Sequence, residues 1–247
     1  MQKKKIGSIA IKGFGLLVAL GTTYQAIAQG ATYSNMAPIE QYLMDRTTEI
    51  ALARSAAPDS ISRDATILVL GRRGYETAVE GKNGFVCIVG RAWTGMFDWP
   101  EFWNPKVRAA DCLNPEAARS ILPIISLRTK LAMAGHSQAE IVSAIIAAFE
   151  KKQLPSLESG AMDYMMSKSS YLTDAGGHNL PHLMFYTPLS DGRDWGSGAA
   201  GSPVMSAPYW FISPKEPSQM KGLPPILVFL VPSAAWSDGT PATLHHD

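Results

Sequence analysis

The sequence predicts an α+β domain, an antiparallel sheet packed against two central helices, behind an export leader. Three observations predict it. Short β-branched and aromatic runs broken by Gly and Asn occupy residues 65–90, the composition of antiparallel strands joined by turns. Two capped stretches of helical periodicity follow, and apolar strand candidates return near the end. Strands, then helices, then strands again argue against alternating βαβ units.

The leader comes first. Lys3, Lys4, Lys5 and Lys12 form a positive start without an acid, an apolar run spans residues 13–20, and Ala26-Ile27-Ala28 places small residues where a signal peptidase reads. That is the three-part layout of a cleavable signal, with the cut expected after Ala28. An apolar core of about 8–10 residues is too short for a membrane anchor, which needs about 20. Residues 29–247 are then expected to form one domain, secreted or periplasmic. The whole chain holds 22 basic and 21 acidic residues. Without the four leader lysines the balance is 18 to 21, a net charge of −3. A basic surface for nucleic acid or anionic lipid is not indicated.

In the exported part, Ile39, Tyr42, Leu43 and Ile50 fall near helical spacing, so a helix is expected over residues 38–55. A meander over residues 65–90 follows, with turns at residues 71–74 and 81–84. Asn114-Pro115-Glu116 opens a helix, Asn114 capping and Pro115 at its first position. Pro123 is placed to kink or split it, and Gly135 to stop it. Ser137-Gln138-Ala139-Glu140 matches a capping box and starts a second helix, which continues to about Lys152. A shorter helix is expected over residues 161–167, and strands over 183–186, 209–212 and 226–231. Cys87 and Cys112 are the two cysteines, and an oxidising compartment makes a disulfide between them the default.

Three segments carry candidate chemistry. Trp93, Phe97, Trp99, Phe102 and Trp103 crowd one stretch, with Arg91, Asp98 and Glu101 beside them. Tryptophans on a loop of an exported protein can stack on a ligand, with Arg91 as a hydrogen-bond donor; equally, they can pack back as a small core of their own. His178 and His182 stand four apart, a metal-ligand spacing on a helix, with Asp174 as a third candidate. Gly176, Gly177 and Pro181 oppose a helix there, so a cofactor is not expected and a metal ion is the minor alternative. Gly135-His136-Ser137-Gln138-Ala139 resembles the Gly-x-Ser-x-Gly elbow of the α/β-hydrolases, with Ala139 in place of the last glycine. The resemblance implies Ser137 as nucleophile, with Asp191 or Asp194 and His245 or His246 completing a triad. The helix stop and capping box explain the same residues without catalysis.

No complete catalytic set emerges, so the expected function is a non-catalytic binding or envelope-associated domain. Trp93, Trp99, Trp103 and Arg91, with the segment 176–186, form its expected working surface. The expected partner is a small molecule, a glycan or an envelope component. The alternative is a secreted hydrolase using Ser137 or the His178/His182 pair.

Overall fold

The structure, a computed structural model, describes residues 33–97, 99–174, 180–188, 194–196, 206–208 and 226–242. The leader and its cut at Ala28 lie outside these residues, as does the expected strand at 209–212. Among the described residues the fold is α+β, and no helix is long and apolar enough to cross a membrane.

The helices are α1 (Arg46–Arg54), α2 (Asp59–Ser62), α3 (Pro115–Ser120), α4 (Leu122–Met133) and α5 (Gln138–Glu150). The strands are β1 (Thr66–Gly71), β2 (Gly74–Val79), β3 (Val86–Gly90), β4 (Ala109–Leu113), β5 (Met162–Met165), β6 (His182–Pro188), β7 (Ser206–Pro208) and β8 (Ile226–Pro232). They form one mixed sheet in the order β2-β1-β3-β4-β5-β6-β8-β7. Every neighbouring pair is antiparallel except β1 and β3.

That parallel pair corrects the expected meander. β1 and β2 do form a hairpin through Gly74, whose φ of +119° favours glycine. The chain then steps back over the start of β1, so β3 joins the opposite edge of β1. The loop is held by the Gly81 amide donating to Thr66 Oγ1 at 3.0 Å and the Lys82 amide donating to Asp64 O at 2.9 Å. A Cβ at Gly81 would collide with the backbone at Ala65 and Thr66. The glycine read as a hairpin turn is thus the residue that lets one segment cross another.

Two further expectations are corrected. The N-terminal helix is shorter than 38–55: a 3-10 turn at Ile39–Gln41 precedes α1, which starts afresh after Asp45. Asp45 caps it by accepting from the Thr48 amide at 2.9 Å. The helix expected over 161–167 is strand β5 instead. Met162, Met165 and Met166 have spacing that suits a helix or a buried strand alike, and the open edges of β4 and β6 take up the backbone. The central segment follows its signals. Asn114 caps α3 through the Ala117 amide, α3 gives way to α4 at Ile121, and Gly135 with a φ of +84° follows the end of α4.

Strand alternation divides the core in two. Ile67, Cys87, Val89, Ala110 and Cys112 point to one face, where Ala53 of α1 packs with Ala56 and Ala57. Leu70, Ile88 and Leu113 point to the other, in a cluster with Ile121, Ile124, Ile125, Ile141 and Ile145. On the first face a disulfide joins Cys87 to Cys112, directly opposite each other on β3 and β4. Closing a 25-residue separation contributes roughly 3 kcal/mol in the chain-entropy model. The same alternation turns Asp111, between Ala110 and Cys112, to the second face.

Candidate functional site

The aromatic segment divides into core and wall. Trp93 is fully buried, its indole N–H donating to Thr129 Oγ1 at 3.2 Å and its ring 4.6 Å from that of Tyr42. Trp103 lies edge-on to Phe102 at 4.6 Å, and its carbonyl accepts from the Tyr42 hydroxyl at 2.7 Å. Arg91 is buried too. Its guanidinium pairs with Glu49 at 2.9 Å and donates to the carbonyls of Tyr42 and Val89. Glu49 also accepts from the Leu70 amide, so this ion pair ties α1 to β1 and to the end of β3. Glu101 accepts from Asn104, Thr173 and the Asp174 amide. Asp98 lies outside the described residues. Trp99 alone among these three tryptophans is only partly buried.

Trp99 is a wall of a cleft of about 290 Å³. Met96, Val107, Ile125, Met165, Leu172 and Met184 supply apolar lining, while Arg91 and Asp111 supply its charged groups. The aromatic loop and strand β6, separate in sequence, thus meet here through Trp99 and Met184.

Behind the cleft lies a group that sequence reading missed. Asp111 on β4 and Asp163 on β5 stand diagonally across two central strands, 8% and 0% exposed. Their carboxyls are in hydrogen-bond contact, and the Oδ1 atom of each is buried with no partner. The Tyr186 hydroxyl on β6 donates to Asp163 Oδ2 at 2.5 Å. Burial first, then the charge of Asp163 and the contact with it, raises Asp111 well above the carboxylate range. Burial likewise pushes Asp163 up to about 7, against hydrogen bonds from Tyr186, the Met184 backbone and Asp111. One proton shared between the two carboxyls is the arrangement expected of adjacent buried acids. The sequence signal was a lone acid inside each of two apolar runs, residues 109–113 and 161–166. Aspartate is rarely buried without a specific partner.

Tyr186 faces a second, larger cleft of about 540 Å³, with Phe185, Trp195 and Phe229 in its walls. Glu158, the one charged residue lining it among the described residues, is tied to Arg119 at 2.7 Å.

The other candidates sit apart. His182 begins β6, buried, with Nδ1 2.8 Å from Leu180 O; burial lowers its pKa. His178 lies outside the described residues. Asp174 is engaged by Tyr33, Tyr171 and Lys106, and the two tyrosine hydrogen bonds hold its carboxyl far below the usual range. No group of three potential metal-ligating side chains occurs among the described residues. Ser137 caps α5: its Oγ accepts from the Glu140 amide at 3.3 Å, and Glu140 accepts from the Ser137 amide at 2.7 Å. Helix α4, not a strand, precedes it. Asp191, His245 and His246 lie outside the described residues, and Asp194 is exposed.

No protein-family description, curated protein or solved structure matches this chain.

Proposed function

We propose that this chain is an exported, non-catalytic binding protein whose cleft under Trp99 takes a small, largely apolar molecule. The observation that carries the reading is the cleft itself: apolar walls on two elements far apart in sequence, with a buried carboxyl at its edge. Pockets of this composition, mostly apolar with few convergent polar groups, are the usual form of ligand sites. The volume of about 290 Å³ favours a compact molecule over an extended glycan.

Trp99 and Arg91 have different parts in this reading. Trp99 meets the ligand, whereas Arg91, held by Glu49 and two carbonyls, fixes the wall. Trp93 and Trp103 support the loop from beneath. The proposal includes the leader cut after Ala28 and a secreted or periplasmic location, with the Cys87–Cys112 bridge compatible with either. It also takes the two central helices as the layer that backs the cleft, Ile125 of α4 being in its lining.

Titration with the uncharged apolar dye N-phenyl-1-naphthylamine tests the reading. Saturable fluorescence enhancement with one site per chain is expected, strongly weakened in a folded Trp99→Ala variant. No saturable enhancement, or the same enhancement in Trp99→Ala, would overturn it.

A further inference from the structure

We propose that the cleft under Trp99 selects cationic amines with an apolar body, seating the ammonium against the Asp111–Asp163 carboxyl pair. The inference rests on the cleft being the ligand site, and adds the charge of the ligand to that reading.

The first ground is an imbalance in buried charge. Asp111 lines the cleft while 92% buried, and its Oδ1 has no partner. One proton shared between the two carboxyls leaves one negative charge on the pair. The Tyr186 hydroxyl is a neutral donor to it. The charged and titratable groups on surrounding elements are otherwise committed among the described residues, including His182 of β6, whose Nδ1 lies 2.8 Å from Leu180 O. Arg91, after β3, is neutralised by Glu49 of α1. The Tyr75 hydroxyl of β2 donates to Val89 O. The Arg128 guanidinium of α4 lies 4.1 Å over the Phe97 ring and donates to Gly95 O. Arg108, before β4, is turned to the carbonyls of Pro105, Val107 and Gln41. Among the described residues, no cation is one of the groups that act on either carboxyl. A buried charge is normally matched by an opposite charge, and here the open side of the pair is the cleft.

The second ground is the lining. Met96, Val107, Met165 and Met184 suit an apolar body, and Trp99 offers the best aromatic face for a cation. A neutral hydroxyl would also find Asp111, but a charge-assisted hydrogen bond is about twice as strong as a neutral one. A carboxylate ligand would be repelled.

Binding has a proton balance. The ammonium is matched by the one negative charge of the pair and the shared proton stays in place; where both carboxyls hold a proton, below about pH 7, one proton leaves to solvent per amine bound. Burial keeps the pair protonated near neutral pH. Amine affinity therefore rises with pH, by up to roughly tenfold per unit for one linked proton.

The test is calorimetric titration of the full protein with phenethylamine, 2-phenylethanol and 3-phenylpropanoate, at about pH 6 and pH 8. Two buffers of different ionisation heat count the protons released. The expected result is amine binding at least about tenfold tighter than the alcohol at pH 8, no binding of the carboxylate, and proton release at pH 6 with the amine alone. In Asp111→Asn the ratio of amine to alcohol affinity falls to about one. Alcohol binding with no preference for the amine, or an amine preference that survives in Asp111→Asn, overturns the charge assignment and leaves the cleft reading standing. Binding of neither overturns both. Should Asp111→Asn fail to fold, Asp163→Asn is read by the same ratio.

Discussion

Replacing Asp111 with Asn should make the protein more stable relative to wild type as pH rises. In the unfolded chain both aspartates are ionised well below neutrality, near their ordinary pKa of about 4. In the folded chain burial raises both, Asp163 to about 7 and Asp111 well above the carboxylate range. The folded protein therefore holds at least one more proton than the unfolded chain through the neutral range. Stability falls with pH wherever the native state holds the excess, by about 1.4 kcal/mol per pH unit for each proton. The wild-type contribution is thus full near pH 4 and is lost progressively as pH rises towards and past 7. Asn at position 111 supplies a fixed N–H where the shared proton sits. It should remove one excess proton, a relative gain of roughly 3 kcal/mol between pH 6 and pH 8. Urea unfolding at several pH values, at constant ionic strength and with the disulfide intact, measures this difference, provided the m-values agree. Parallel stability curves for the two proteins across that range would show that the carboxyls share no proton and refute the reasoning.

Two other substitutions probe the fold. Gly81→Ala sets a methyl against the backbone at Ala65 and Thr66, which cannot yield as a flexible side chain would. A loss of at least about 2 kcal/mol is expected, and a thermal unfolding midpoint unchanged from wild type would contradict the crossing. Ser137→Ala should cost about 1 kcal/mol as a lost cap, and Ser137→Asp should restore most of it. If Ser137→Asp proves no more stable than Ser137→Ala in urea, the capping role fails.

The helical middle of the chain was legible because its signals are local. Asn114, Pro115, Ser137 and Glu140 each act on backbone groups within one turn, so spacing alone reveals them. The hairpin through Gly74 was legible for the same reason. What misled was partnership at a distance. Nothing in residues 81–84 says that the chain crosses β1 rather than turning back, because the reason is the nearness of Thr66. Met162 and Met165 become part of a strand because β4 and β6 offer edges on both sides, and Met166 lies just beyond it. The cysteine pair was legible by count and by the expected compartment, although its position across two paired strands was not. Of the tryptophans, sequence could nominate the cluster but not sort Trp99 from Trp93 and Trp103. Burial depends on Tyr42 and Thr129, distant in the chain.

The buried pairs Arg91–Glu49 and Asp111–Asp163 differ, and their difference separates scaffold from site. Arg91 and Glu49 answer each other at 2.9 Å with opposite charges, and backbone groups of Tyr42, Val89 and Leu70 add to the pair, leaving Glu49 Oε2 without a partner. Removing either partner would strand a charge, which typically costs about 3–5 kcal/mol. That arrangement has a sufficient structural reason. Asp111 and Asp163 do not answer each other, since two like charges in contact are stable only while a proton stays between them. A sheet gains nothing in packing from such a pair: Leu or Val at either position would suit the apolar cluster around Ile88 and Leu113 without any desolvation cost. A costly acid pair beside an open apolar cleft is therefore better explained by what enters the cleft than by what it does for the fold.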